Sequence, residues 1–340
     1  METSDERPHR VQRPAPPTRR RAQIHEAPGR PQRPHGGRHA DAPASAGRLR
    51  GALSAPTGLR ISALTVLALS AIGLAAWALP DSAILFSLVI ALASCLLALG
   101  WPHLVGSRMS RPARAVLALS GLAIPLSVAV ARDLAVVAPA FGLSLVALVI
   151  ATVLTAPAPV VRTSAADGPD GPSAWAGSST SAALTSGVSA LLIVGGGSAW
   201  VALDALDLWS VTVPMACLIV PLVVWGDQIG STYRAQSAGA LVAAVVGGLV
   251  ASVAAWRIGT SAALLPVILP GVARSAGELT AILLLGVTTG VAVALAVILV
   301  DGVFGDHARR QSTIGAISRG AAKFLVAAIP VYAMIRIGGV

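Results

Sequence analysis

Charged residues and cysteines are both scarce in this chain. Of its 340 residues, 12% are charged, whereas a soluble domain typically has roughly 25%. The two cysteines, Cys95 and Cys217, are too few for a disulfide framework or a CxxC metal site, and both lie in apolar runs. The chain also lacks a Gly-rich loop ending in Gly-Lys-Ser/Thr, a His-Glu-x-x-His motif and a Gly-x-Ser-x-Gly nucleophile elbow. The sequence therefore disfavours an ATPase, a zinc protease and a serine hydrolase.

Five long apolar stretches contain no ionisable side chain at all. They cover residues 115–131, 134–154, 208–225, 237–256 and 279–300. A helix rises about 1.5 Å per residue, so roughly 20 such residues cross the hydrocarbon core of a bilayer. The mean hydropathy of +0.75 agrees with repeated stretches of this kind. We therefore predict an all-α, multi-pass membrane protein.

The hydropathy pattern predicts a polytopic bundle of about nine transmembrane helices. The spans are predicted near residues 61–80, 83–103, 115–131, 134–155, 182–203, 208–225, 237–256, 278–300 and 321–338. Residues 258–276 are apolar but short and contain Pro266 and Pro270, which favours an interfacial or re-entrant segment over a tenth span. No predicted span has an ionisable residue near its centre. Ion-coupled transporters and proton pumps usually need such a group, so the pattern disfavours them.

The basic residues predict how the protein is oriented. Residues 1–60 hold 12 Arg and 5 acidic residues, a balance of +7, out of +10 for the whole chain. The loops on the same side as this segment hold nine basic residues, and those on the other side hold four. The positive-inside rule then places the N-terminus in the cytoplasm and the C-terminus outside, in a bacterial cytoplasmic membrane.

The N-terminal tail, residues 1–57, is rich in Arg and Pro and shows no helical or strand period. Such a segment cannot bury enough apolar surface to offset its ordering entropy, so we predict that it is disordered. Its expected partners are the lipid bilayer and, through its arginines, anionic lipids, although a tether that only fixes topology is the simpler interpretation. The sequence does not favour nucleic acid as a partner.

Two parts of the transmembrane domain, residues 58–340, resemble each other. Trp77 and Trp200, and likewise Trp101 and Trp225, occupy similar positions about 124 residues apart. The pattern predicts a parallel duplication of a four-helix unit, with repeats at 58–160 and 181–300. A cytoplasmic linker at 161–180 would join them, and a cytoplasmic loop and last helix would follow at 301–340. Recurring interfacial Trp residues are the alternative explanation.

Small residues recur every fourth position on two of the predicted spans. A smooth stripe of this kind lets another helix approach closely. The predicted packing residues are Gly239, Ala243, Gly247 and Ala251 on the seventh span, with Gly286 and Gly290 on the eighth. Packing within the chain is the first interpretation, and a homo-oligomer or an envelope protein partner is the second.

Two polar clusters at the predicted cytoplasmic face are the candidates for chemistry. Asp227, Asp301 and Asp306 are the carboxylates that an enzyme acting on a lipid phosphate would use. Arg234, Arg309 and Arg310 would then bind the anionic headgroup. Ordinary polar loops that enforce topology are the simpler interpretation. We predict no bound metal and no cofactor.

In general character, residues 60–340 resemble uncharacterised Ala-rich multi-pass membrane proteins of actinobacterial type, a resemblance that implies no particular activity. The leading hypothesis is a protein without a catalytic centre of its own. It would act as a scaffold or subunit of an envelope system, or as a permease-like conduit for an uncharged or lipidic substrate. The alternative is a membrane enzyme acting on a lipid phosphate or a phosphorylated headgroup at the cytoplasmic face.

Overall fold

A computed structural model describes residues 57–80, 82–106, 109–155, 178–206, 209–230, 232–258, 270–304 and 312–338. Over these ranges the chain is helical and has no strand. The helices are α1 (Thr57–Trp77), α2 (Ser82–Val105), α3 (Arg111–Ala131), α4 (Val137–Leu154), α5 (Ser178–Gly197), α6 (Ala199–Ala202), α7 (Trp209–Gly226), α8 (Tyr233–Ile258), α9 (Pro270–Ala276), α10 (Glu278–Phe304), α11 (Thr313–Val326) and α12 (Ala328–Gly338). Short 3₁₀ turns precede α4 and follow α6. The predicted tail lies outside the described residues, apart from Thr57.

Nine helical segments of the described chain are long and apolar enough to cross a membrane. They are α1, α2, α3, α4 with its 3₁₀ turn, α5 continued through α6, α7, α8, α10, and α11 continued through α12. The prediction of an all-α protein with nine such helices is confirmed. The seven residues of α9 are too few to cross a bilayer, and residues 259–269, the rest of the ambiguous segment, lie outside the described residues.

The outer surface of the helices is strongly apolar. Leu143, Leu154, Val242 and Leu299 expose between 64% and 79% of their surface, and they lie on three helices, α4, α8 and α10. A soluble protein rarely exposes so many large apolar side chains on neighbouring helices. This surface fits contact with lipid acyl chains.

Successive spans run in opposite directions, so each end of the bundle collects helix termini. We call the end at which α2, α7 and α10 finish, and at which α3, α8 and α11 begin, the basic end. Short caps set some of these termini. At the basic end, Ser110 caps α3 by accepting a hydrogen bond from the Ala113 amide at 3.3 Å. At the opposite end, Arg132 takes a left-handed conformation that finishes α3, and Asp133 caps the next turn.

Backbones approach most closely where α8 packs between α7 and α10. A Cβ atom at Gly239 would overlap the Gly226 carbonyl group of α7, and one at Gly286 would overlap the Gly248 carbonyl group of α8. Gly290 meets the Ala244 backbone in the same way. Thus α8 presents two neighbouring stripes of small residues, one to each partner helix. The stripe facing α10 contains Ala244, Gly248 and Ser252, which are not among the predicted packing residues.

The proposed duplication is not supported. Its tryptophan landmarks occupy different environments, although they occur at matching positions in the sequence. Trp101 is 2% exposed inside the bundle, whereas Trp225 is 55% exposed. Trp200 is fully buried, whereas Trp77 is only half-buried. In each pair of corresponding tryptophans, one side chain is therefore buried and the other is more exposed.

The ninth span begins eight residues earlier than the predicted start at residue 321. Ser312 caps α11 by accepting a hydrogen bond from the Gly315 amide, and the helix starts at Thr313. Arg319 and Lys323 therefore lie inside a span, and Lys323 is near the middle of the segment Thr313–Arg336. The prediction that no span has an ionisable residue near its centre is wrong, because a capped helix begins within what looked like a basic loop.

Candidate functional site

Four ionisable side chains meet inside the bundle. Asp227 follows the end of α7, Asp301 is in the last turn of α10, and Arg319 and Lys323 are on α11. Arg319 and Lys323 are four residues apart, so they lie on the same face of their helix. We call these four residues the charge cluster. It joins α7 to the consecutive helices α10 and α11, which lie far from α7 in the sequence.

The two cations divide the carboxylate oxygens between them. Arg319 donates from Nε at 2.9 Å and from Nη2 at 2.7 Å to the same oxygen of Asp301, Oδ1. Lys323 lies between the two carboxylates, with its Nζ 2.5 Å from Oδ2 of Asp227 and 2.7 Å from Oδ2 of Asp301. Asp301 thus contacts both cations, and Asp227 contacts Lys323. The formal charges of the cluster sum to zero.

The charge cluster is almost completely removed from solvent. The side chains of Asp227, Asp301, Arg319 and Lys323 are between 1% and 6% exposed. One cause of this burial is that α7 is short: it has 18 residues, whereas α8 has 26 and α10 has 27. The end of α7 therefore lies beside the flanks of its neighbours. A charge in such a place is costly unless it is paired.

Helix ends add negative potential to the charge cluster. Asp227 and Asp301 both lie at helix C-termini, where the aligned peptide dipoles carry roughly half a negative charge. A carboxylate at this position is unfavourable without a nearby cation. This explains why two cations converge on two carboxylates. Burial also raises the pKa of the Asp227 carboxyl group, and the Asp301 carboxylate raises it further, while attraction to Lys323 lowers it.

The structure brings together two of the six residues that the sequence proposed for chemistry. Asp227 and Asp301 share Lys323, as described above. Arg234 is exposed in the first turn of α8 and has no part in the charge cluster. The other three candidates, Asp306, Arg309 and Arg310, lie outside the described residues.

Sequence reasoning missed Arg319 and Lys323 as members of the site. Arg319 lies just before the predicted ninth span and Lys323 is the third residue of that span, and both are counted among the nine basic residues on the side of the N-terminus. The signal that identifies them is the stretch from Ser312 to Leu325, which has a serine cap, no proline and its only two cations four residues apart. Such spacing places both charges on one helical face, which is typical of a shared partner and not of a solvated loop.

The charge cluster has little room for a metal ion. In the part of the chain that the structure describes, no three His, Cys, Asp or Glu side chains gather where they could hold one. Three of the four oxygens of Asp227 and Asp301 already contact Arg319 or Lys323. A divalent cation would have to displace Lys323 to bridge both carboxylates.

A cleft of about 980 Å³ opens at the basic end, between the end of α2, the start of α5, the end of α10 and the cap of α11. Its inner wall contains Trp101, which donates from Nε1 to Oγ of Ser186 at 2.8 Å and meets the Phe304 ring edge-to-face at 5.9 Å. Phe304 is three residues after Asp301, so one helical turn connects the cleft wall to the charge cluster.

A second group of aromatic rings lies in the opposite half of the bundle. Phe86 is near the start of α2 and contacts Trp200 and Trp209, with ring centroids 6.1 Å and 5.5 Å away. Trp200 also stacks on Phe324 at 5.6 Å and donates from Nε1 to its carbonyl oxygen at 3.0 Å. Phe86 and Trp101 are 15 residues apart on α2, about 22 Å along the helix. The two aromatic groups thus lie at different depths, and the cleft reaches only the nearer one.

The comparisons with known proteins give no help with this site. No family model, no curated protein and no solved structure matches the chain. The features that bear on function are therefore the charge cluster, the cleft and the aromatic groups.

Proposed function

We propose that the protein is a permease-like conduit for an uncharged or lipidic substrate in a bacterial cytoplasmic membrane, with its basic end in the cytoplasm. The observation that carries this proposal is a cleft at the basic end whose wall lies one helical turn from the buried charge cluster. Ionisable groups inside a membrane helix bundle are expensive, and they commonly mark transport pathways. A bundle that served only to fill space would not need them.

The layout of the aromatic groups supports the same proposal. A conduit must keep its two sides separate while it holds a substrate. Here the cleft ends at Trp101 and Phe304, and the rings around Trp200 lie beyond them toward the opposite end. The charge cluster links α7, α10 and α11. Helix α11 also contributes Phe324 to the second group of aromatic rings, the one around Trp200. Movement of α11 against α7 and α10 would therefore move both aromatic groups, the one at the end of the cleft and the one around Trp200.

Two other readings remain as alternatives. A scaffold or subunit of an envelope system would use the charge cluster only to fix the packing of its helices. An enzyme acting on a lipid phosphate would use Asp227 and Asp301 to hold a divalent cation. The second reading has less support, because Lys323 lies between these carboxylates and both are buried.

Cysteine labelling distinguishes a conduit from a scaffold. Ser189 lies on the cleft wall, and it becomes the only cysteine in the variant Cys95→Ala/Cys217→Ala/Ser189→Cys. We expect a membrane-impermeant methanethiosulfonate to label position 189 quickly from the basic end, and at least ten times more slowly from the other end. The slow reaction reports the conformation that opens to the opposite side. Inside-out and right-side-out vesicles supply the two faces.

Two control positions establish what one-sided labelling looks like. Ile229 lies at the basic end and Leu79 at the opposite end, and each exposes about half of its surface, 50% and 55%. Each single-cysteine variant should react from one face only, and together they test the proposed orientation. If position 189 also reacts from one face only, the conduit proposal fails and the scaffold is favoured.

A further inference from the structure

The cleft at the basic end has one polar wall, formed by α5. Ser181, Thr185 and Ser189 line it at intervals of four residues and are exposed. This spacing places their hydroxyl groups in one row that extends about 12 Å along the helix. A hydroxyl can both donate and accept hydrogen bonds. That of Ser189 donates to the Thr185 carbonyl oxygen at 3.0 Å, so it offers its lone pairs to a donor from a ligand. Such a row at the start of a membrane-spanning helix is adapted to a partner that also donates and accepts.

The facing walls of the cleft are apolar. Val105 at the end of α2 and Val303 at the end of α10 line it, and they expose 45% and 82% of their surface. Leu104 and Phe304 complete this side. A ligand that is polar on one side only, or that carries an apolar tail, would satisfy both walls at once.

The described residues of the cleft wall carry little formal charge. Among the described residues that line the cleft there is no Asp, Glu, Lys or Arg, and there is one histidine, His103. Sites for phosphate normally use Arg or Lys for charge-assisted hydrogen bonds. The described lining thus offers hydroxyl groups for hydrogen bonds to an uncharged polar group, and no cation for a phosphate.

We propose that this cleft binds an uncharged polyhydroxyl group, such as a sugar or another polyol, against the row formed by Ser181, Thr185 and Ser189. When the group is the head of a lipid, its acyl chains lie along Val105 and Val303. This names the substrate class of the proposed conduit and rests on that function, but the binding site can be tested without any transport. The volume of about 980 Å³ is sufficient for one headgroup with the first part of its chains.

Binding to the purified full-length protein tests the proposal. The protein should be purified in lauryldimethylamine oxide, because a maltoside detergent would itself present a sugar to the cleft. Native mass spectrometry then measures the binding of monoglucosyl diacylglycerol, diacylglycerol, phosphatidylglycerol and free glucose. We expect one monoglucosyl diacylglycerol per chain, with at least fivefold preference over diacylglycerol and phosphatidylglycerol. Thr185→Val/Ser189→Ala should weaken it about tenfold, which corresponds to about 1.4 kcal/mol for the two lost hydrogen bonds together.

A matched variant separates the cleft from general effects of removing hydroxyls. Ser127 and Thr288 donate to carbonyls of their own helices, α3 and α10, and do not line the cleft. Ser127→Ala/Thr288→Val should bind the glucolipid as the unmodified protein does. Binding of free glucose with equal affinity would keep the hydroxyl site and identify a soluble polyol as its ligand. Equal binding of all the lipids without binding of glucose, or an unaffected Thr185→Val/Ser189→Ala variant, would overturn the proposal.

The two proposals can fail separately. Glucolipid binding together with one-sided labelling of position 189 would support the proposed binding site and contradict the proposed conduit. Two-sided labelling without any preference for glucolipid or glucose would retain the conduit and remove this substrate class.

Discussion

Replacing Asp301 with Asn is expected to cause the largest loss of stability of any single charge substitution in the described chain. Asp301 contacts both Arg319 and Lys323, so its neutralisation leaves two buried cations to share Asp227. Removing one partner from a buried ion pair typically costs about 3–5 kcal/mol, because the other charge stays buried and unpaired. The protein purified in detergent should unfold at a midpoint roughly 10 °C lower, measured by the loss of the monodisperse peak after heating.

A control on the same helix removes the same charge at an exposed position. Glu278 begins α10 at its other end and is exposed, so Glu278→Gln should shift the midpoint by no more than about 1–2 °C. If Asp301→Asn and Glu278→Gln behave alike, Asp301 does not hold the buried position described above.

The second large effect is expected where α8 and α10 touch through their backbones. Gly286 has no room for a side chain, since a Cβ atom there would overlap the Gly248 carbonyl group and the Ser252 hydroxyl group. The Ser252 hydroxyl also donates to the Ile282 carbonyl oxygen at 2.8 Å, so a separation of the helices would break that hydrogen bond too. Gly286→Leu should cost roughly 3 kcal/mol, at the upper end of overpacking, and lower the yield of folded protein severalfold.

Gly142→Leu is the matched control for this substitution. Gly142 lies within α4, and no atom outside its own helix comes within 4 Å of a Cβ built there. A leucine there also has a better helix propensity than glycine, so the folded yield should be unchanged or slightly higher. Equal losses from Gly286→Leu and Gly142→Leu would mean that helix contact at Gly286 is not the cause.

The membrane architecture could be predicted from the sequence because it depends on segment length and hydropathy alone. Each apolar stretch has one stable conformation in lipid, a helix that satisfies its own backbone hydrogen bonds. The same logic did not locate the start of the ninth span. The predicted span starts at residue 321, after Arg319 and just before Lys323, since charges are normally excluded from spans. The carboxylates that permit the burial of both residues come from α7 and α10.

The charge cluster and the cleft depend on contacts that no local pattern specifies. Asp227 and Lys323 are 96 residues apart in the sequence, and nothing near either of them indicates the other. The stripes of small residues had the same limitation. Their spacing indicated close packing, but the choice of partner required the structure, in which Gly239 meets Gly226 and Gly286 meets Gly248. The predicted duplication treats Trp101 and Trp225 as equivalent positions. In the structure Trp101 is buried and Trp225 is exposed.

The most direct test of the charge cluster is a double-mutant cycle on Asp227 and Lys323, with thermal midpoints measured for Asp227→Asn, Lys323→Met and the double variant. Each single variant leaves the buried cluster with one unbalanced charge, whereas the double variant leaves Asp301 paired with Arg319 and no net charge. We expect both single variants to lose stability strongly. The double variant should regain most of the loss, with a coupling of roughly 2 kcal/mol or more. If the losses simply add, Asp227 and Lys323 do not interact in the folded protein, and the account of a charge-balanced centre within the bundle is contradicted.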